Sequence, residues 1–313
     1  FNLQPVIQVT AESKIFENNE RGFDMKIGFI GAGNMGGAIL RGYAPFANED
    51  GNEILVYTPT VEKREAIARE TGATATDGIE DIVRATDIII LGVKPNIFGQ
   101  LMPQIAAAFA EASCANVCAH DFASDDINAD SEDEGKLLIS MAAGITIGYM
   151  EGYLGKSAKI IRIMPNTPAQ VGASMIAMCR NANVNDGIFA VAKAIFDHIG
   201  AAEEVDEELI HCVIGVSGSS PAYTFMYIDA LIAAAVANGM EKDKARIFAA
   251  QAVKGAAEMV LQTETDVNQL CINVCSPGGT TIEAVHSLEK DNFKEIIVRA
   301  FKAAVDRSKE MSE

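Results

Sequence analysis

From residue 25 onward, short unbroken apolar runs alternate with longer stretches in which apolar residues recur every three or four positions. Runs over 26–30, 54–57, 87–93, 137–142, 159–164 and 173–179 are of the first kind. Unbroken runs of that length predict strands covered on both faces, as in a parallel sheet. The stretches after Gly36 and over 61–70, 79–85 and 97–112 have helical spacing, with Gly72 placed to end the second. Strand and helix in alternation predict a doubly wound α/β sheet with right-handed crossovers. Past residue 186 the alternation stops. Segments 186–199, 207–215, 219–238, 242–262, 281–290 and 292–309 all carry helical periodicity, and Asn238-Gly239 supplies a stop. The expected organisation is an α/β domain over 25–185 followed by an all-α domain over 186–313.

Between 222 and 236 apolar residues face every direction: Phe225, Met226, Ile228, Leu231, Ile232 and Val236, with alanines between them. A helix that is apolar all round must be covered all round. In a domain this small the expected cover is a second subunit, so the all-α part is expected to form a homodimer, with a higher oligomer left open. The stretch also carries Tyr223, Tyr227 and Asp229 and falls short of a membrane span, so no membrane partner is expected.

Gly31, Gly33 and Gly36 follow the first strand as G-x-G-x-x-G and lead into a helix. The first glycine allows a tight turn, the second lets backbone approach a pyrophosphate, and the third lets helix pack closely on strand. Free N–H groups at the helix start then face the phosphates. The α/β part is thus expected to be a Rossmann-type dinucleotide-binding domain. At the end of the second strand, Val56-Tyr57-Thr58-Pro59-Thr60 has no acid to hold a ribose 2′-hydroxyl, and Lys63 and Arg64 follow. A carboxylate there would repel a 2′-phosphate, whereas hydroxyls and bases would hold it. NADP is therefore expected over NAD, with NAD the alternative. Lys94-Pro95 ends the strand over 87–93 at its carboxyl edge, where ligands sit in such sheets.

Charge narrows the range of partners. With 43 acidic against 25 basic residues the formal net charge is −18, which argues against a nucleic-acid surface. Part of the excess lies in an acidic insertion over about 111–136, expected to be a solvated loop. Cys114, Cys118, Cys179, Cys212, Cys271 and Cys275 form no C-x-x-C pair, and no His stands at ligand spacing. Reduced thiols of a cytoplasmic protein and no metal site are the expectation. Residues 1–24 lack a signal peptide's apolar core and are expected to be a disordered polar leader. His211 and His286 lie in helical stretches and are expected to pack or to face solvent.

A second glycine-rich turn, Ser276-Pro277-Gly278-Gly279-Thr280-Thr281, enters the helix over 281–290. It is either an anion cradle with added hydroxyl donors or a well-capped helix start. Local sequence leaves both open.

In order along the chain stand Gly31-Ala32-Gly33-Asn34-Met35-Gly36, Val93-Lys94-Pro95, Ala142-Ala143-Gly144-Ile145, Met164-Pro165-Asn166-Thr167-Pro168, Ser217-Gly218-Ser219-Ser220-Pro221-Ala222-Tyr223 and the turn 276–281. This set resembles pyrroline-5-carboxylate reductase, the last enzyme of proline biosynthesis, from Met25 to about Glu310. The resemblance implies a Rossmann domain followed by an α-helical dimerisation domain, and NAD(P)H-dependent reduction of 1-pyrroline-5-carboxylate to L-proline. It implies that Ile30, Gly31, Ala32, Gly33, Asn34 and Met35 bind the pyrophosphate and that Thr58 sits by the 2′ position. Gly92, Val93, Lys94 and Pro95, with Met141, Ala142 and Ala143, would line the ribose and nicotinamide. The amides of Gly279, Thr280 and Thr281, with Ser276, would hold the substrate carboxylate. The Thr281 hydroxyl would face the ring nitrogen as the catalytic group, with Asn273 close by.

Ser220 stands where the family usually has glycine, and the leader and the long acidic insertion are extra. Two rivals are weighed beside this reading. A β-hydroxyacid dehydrogenase needs a Lys and an Asn where alignment on Gly215 and Gly218 places Thr224 and Tyr227, so the proton donor is missing. A non-catalytic NADP(H)-binding sensor would have no use for a second pocket.

Overall fold

The computed structural model describes residues 25–120 and 135–312. The leader, most of the acidic insertion and the side chains of Cys114 and Cys118 lie outside the described residues. The first part of the chain runs β1 (Lys26–Ile30), α1 (Asn34–Ala47), β2 (Glu53–Tyr57), α2 (Val61–Thr71), β3 (Thr74–Ala75), α3 (Ile79–Ala85), β4 (Ile88–Leu91), α4 (Phe98–His120), β5 (Leu137–Ser140), α5 (Ile147–Leu154), β6 (Lys159–Met164), β7 (Ser174–Arg180), α6 (Asp186–Asp197) and β8 (Gly200–Glu204). The strands form one sheet in the order β3-β2-β1-β4-β5-β6-β7-β8, parallel except where β6 meets β7. Strand order reverses between β1 and β4, which opens a crevice at their carboxyl ends.

The unbroken apolar runs have the cause expected of them. Alternate residues of each central strand enter different layers: Phe29, Ile90, Ile139 and Ile163 pack with α1 and α6 on one face. On the other face Ile89, Leu91, Leu138 and Ile160 pack with α3, α4 and α5.

The sheet continues beyond residue 185, where the domain boundary was expected. Phe189, Ile195 and Phe196 of α6 are buried on the first face, and β8 pairs in parallel with β7. Only Ala202 of β8 is buried, so the strand has no apolar run to announce it. Extended backbone pairing adds it to the sheet edge. The eight-residue α5 and the two-residue β3 were not expected either, being too short to show a period.

A purely helical part follows a short 3-10 turn at Glu207–Leu209: α7 (Ile210–Val213), a π-helical turn (Ile214–Gly218), α8 (Ser220–Ala237), α9 (Lys242–Gln262), α10 (Val267–Val274), α11 (Thr280–Lys290) and α12 (Phe293–Glu310). Helix α8 packs on α9, and α12 packs on α7, on the π turn and on α11. Gly215 makes the α12 contact possible, since a Cβ there would lie 2.6 Å from the Phe301 ring. At its far end α12 returns to the sheet: a Cβ on Gly144, in the turn after β5, would meet the Met311 carbonyl at 2.7 Å.

Phe225 and Met226 of α8, Ile247 and Phe248 of α9, Leu261 and Ile272 are exposed in the single chain. The helical run containing α8 spans Glu207–Ala237, 31 residues, and its most apolar 18-residue stretch has a mean hydropathy of 1.3 with none of it buried. The expectation that this stretch is too short for a membrane is therefore corrected: the preceding turns lengthen it, and by length and composition it could span one.

Candidate active site

The crevice is walled by three glycines packed backbone to backbone. Gly31 takes φ +93°, and its N–H donates to the Tyr57 carbonyl at 2.8 Å, tying the turn to β2. A Cβ on Gly36 would lie 2.4 Å from the Gly31 carbonyl oxygen, and one on Gly92 would lie 2.3 Å from the same atom. Gly92, after β4, is thus the partner that lets the loop close on the sheet. Gly33 differs: a Cβ there would meet nothing within 4 Å. It lies exposed at the start of α1, whose first turn has no acidic residue and no side-chain cap. The amides of Gly33, Asn34 and Met35 have no acceptor among the described residues. Open space, free donors and the positive end of a 14-residue helix together suit a pyrophosphate.

Ile30 plays another part. Its side chain is buried in the second apolar layer, and its carbonyl accepts the Gly92 N–H at 2.9 Å. Both groups hold the turn and make Ile30 a wall of the crevice. Ala32 and Met35 are half-buried, and Met35 packs against the first layer. Val93 reaches under Gly31, and exposed Lys94 precedes the 3-10 turn Pro95–Ile97 at the same edge. On the next strand Ala142 is buried, with Met141 and Ala143 half-buried beside it. All of these stand at the carboxyl end of β1, β4 or β5.

At the end of β2, Thr58 is half-buried, and Thr60 begins α2 without capping it. Arg64 is not available to a phosphate. It is 8% exposed, lies over the Tyr57 ring and donates to Asp77 at 2.8 Å. Thr58, Thr60 and the exposed Lys63 remain as the polar groups at this end of β2.

The second glycine-rich turn precedes α11. The Gly279 N–H donates to the Ser276 carbonyl at 3.0 Å, so it closes the turn and is not free for a carboxylate. The cradle begins one residue later, with the amides of Thr280, Thr281 and Ile282, which have no partner among the described residues. Gly278 takes φ +70°, a conformation glycine adopts freely. Ser276 and Thr280 are exposed, Thr281 is half-buried, and Asn273 on α10 accepts from Gln269 at 2.8 Å. In one chain this turn lies open to solvent.

Two buried polar groups, one in β6 and one just after it, escaped the sequence reading. Arg162 sits inside β6 at 2% exposure, with Nη1 donating to Glu207 at 2.8 Å; the same Glu207 oxygen accepts the Ile147 N–H at 2.9 Å. Its Nε and Nη2 have no hydrogen-bond partner among the described residues. A lone Arg within an otherwise apolar strand was the available signal. Asn166, just beyond β6, is 8% exposed and donates to the Ser217 carbonyl at 3.0 Å. The sequence reading quoted Met164 to Pro168 among the segments that carry the family resemblance and gave Asn166 no role. Among the described residues no cluster of metal-ligating side chains occurs.

Known proteins give this layout its name. Residues 207–311 match the family model for pyrroline-5-carboxylate reductase dimerisation, and residues 26–120 match the model for coenzyme F420-dependent NADP oxidoreductases. The Escherichia coli K12 pyrroline-5-carboxylate reductase is 41% identical over 289 residues, covering 92% of this chain and 99% of that one. The chain belongs to the pyrroline-5-carboxylate reductase family. A solved reductase from Coxiella burnetii superposes with a TM-score of 0.79 at 33% identity, covering 93% of this chain and 99% of that one. The Plasmodium falciparum reductase, solved with NADP bound, gives 0.75 at 32% identity, with coverage of 92% and 98%. The reductase family accounts for the division seen here, a dinucleotide-binding sheet followed by a helical dimerisation region. The bare apolar faces of α8 and α9 lie within the region that matches the dimerisation model.

Proposed function

We propose that this chain reduces 1-pyrroline-5-carboxylate to L-proline with NADPH, on a site formed by the β1/β4 crevice and the turn at 276–281. What carries the reading is a pair of amide cradles with no protein acceptor among the described residues, one at Gly33 to Met35 and one at Thr280 to Ile282, in a chain with these relatives. The first suits a pyrophosphate and the second a small carboxylate. Bound NADPH supplies a hydride from nicotinamide C4. The chain's own task is to bind and orient. Gly92 to Pro95 and Met141 to Ala143 line the nicotinamide side, and Thr58, Thr60 and Lys63 favour a 2′-phosphate. The amides after Gly279 hold the carboxylate and fix the ring. The Thr281 hydroxyl, as the catalytic group, hydrogen-bonds the ring nitrogen, while Ser276 and Asn273 border the pocket.

A protonated imine already has an electrophilic carbon. Hydride added at C5 leaves the nitrogen as the secondary amine of proline, so placement replaces a strong general acid. An open turn does not give a dry site. In the dimer, the turn of one chain is covered by the crevice of the other, and the faces of α8 and α9 are covered in the same event. That cover also explains the apolar length of Glu207–Ala237 without a membrane. The domain division falls between β8 and Glu207, and the compartment is the cytoplasm.

The test is NADPH oxidation with pyrroline-5-carboxylate beside a panel of 2- and 3-hydroxy acids supplied with NADP+. Turnover of the imine alone is expected. Turnover of a hydroxy acid, or tight NADPH binding with no turnover, overturns the reading.

A further inference from the structure

The last carbonyl before α8 creates a problem that Asn166 solves. In a helix the Ser217 carbonyl would accept from the residue four positions on, but that residue is Pro221, which has no N–H. The next donor, Ala222 N–H, goes to the Ser219 carbonyl at 3.0 Å, and the ladder has already slipped, with Ser219 N–H donating to Ile214 at 2.7 Å. A single π turn of this kind is often found at functional positions. Asn166 Nδ2 donates to the orphaned Ser217 carbonyl at 3.0 Å.

The side chain's orientation is fixed by its other partners. Its Oδ1 accepts from the Met175 backbone N–H at 3.0 Å and from the Ser174 hydroxyl at 3.1 Å, and a backbone N–H can only donate. The amide therefore bridges three elements: the loop leaving β6, the start of β7 and the root of α8. Strand β6 holds the same helical run at a second point, where Arg162 grips Glu207. Between the two anchors Ile210 is fully buried. The direction in which α8 leaves the sheet is thus set from β6, next to the strand that carries Met141 to Ala143.

We propose that Asn166 is a positioning residue for the reaction. By satisfying the Ser217 carbonyl it fixes the π turn, and through α8 the angle at which the dimerisation helices present the turn 276–281 to the nicotinamide. The assignment rests on the imine-reductase reading above. It predicts that loss of the amide harms the chemical step more than cofactor binding, and that a new backbone donor at position 221 relieves the loss.

The test compares wild type, Asn166→Ala, Pro221→Ala and the double variant. Asn166→Ala is expected to lower kcat for the imine by about tenfold or more while leaving the Kd for NADPH and the dimer unchanged within about twofold. Amide hydrogen exchange over residues 214–222 rises in step. In the double variant the backbone N–H gained at position 221 can donate to Ser217, so kcat and exchange protection return toward wild type; Pro221→Ala alone changes little. An unchanged kcat and exchange in Asn166→Ala overturns the proposal. So does a loss that Pro221→Ala fails to relieve, or a parallel collapse of NADPH binding and dimer, which marks a purely structural residue. If wild type leaves the imine untouched while the exchange pattern holds, the reductase reading fails and the latch itself stands.

Discussion

Gly33 and Gly36 stand three residues apart, yet a methyl group added at each would meet opposite surroundings. At Gly36 it would press on the Gly31 carbonyl at 2.4 Å, a backbone atom with no room to retreat. Gly36→Ala is expected to cost about 1–3 kcal/mol or more by overpacking, read as a lowered Tm. At Gly33 it would enter empty space with φ at −73°, which alanine accepts. Gly33→Ala should therefore keep the wild-type Tm yet weaken NADPH at least about tenfold, because the methyl stands where the pyrophosphate must approach. Equal Tm losses in the two variants would contradict this division. Arg162 and Glu207 are likewise unequal. Glu207→Ala leaves a buried guanidinium with no carboxylate, at a cost of about 3–5 kcal/mol in chemical denaturation. Arg162→Met leaves a half-solvated carboxylate beside an apolar chain and is expected to cost less; the reverse order would contradict the account.

At the scale of elements, the α7–α12 junction carries a pH response. His211 Nδ1 lies 2.9 Å from the Ser308 hydroxyl. Burial, then the nearby charges of Arg162 and Lys309, hold the imidazole below its usual pKa. Between that lowered value and the ordinary one near 6.5, the unfolded chain binds a proton that the folded chain refuses. Stability is thus complete above about pH 6.5 and falls as the pH drops through this window. His211→Gln should flatten that slope in urea titrations run from neutral to mildly acidic pH; an unchanged slope would place the effect elsewhere. Elements with long apolar runs, β1, β4, β5 and β6, were legible in the sequence because both their faces are covered. β8 was not, since a strand of small and acidic residues is held by pairing to an edge. Asn166 was quoted within a recognisable segment, but the role proposed for it depends on Pro221, far away in sequence, and only packing brings the two together. The turn at 276–281 stood out in the sequence as either an anion cradle or a capped helix start, while the commitment of the Gly279 amide to Ser276 depends on how the turn closes.

At the scale of the molecule, one chain is unfinished. Its α8 and α9 present Phe225, Met226, Ile247 and Phe248 to solvent, and the turn at 276–281 is largely exposed. In the proposed dimer, association covers the apolar faces and closes the proposed site together, so activity and dimer should be lost together on dilution; an active monomer in sedimentation velocity would contradict this. The most direct measurement follows the hydride. With NADPH carrying deuterium at the transferred C4 position and pyrroline-5-carboxylate as acceptor, mass spectrometry should find L-proline with one deuterium, on C5. Proline without deuterium, or NADPH consumed with no proline formed, would contradict direct transfer at this site.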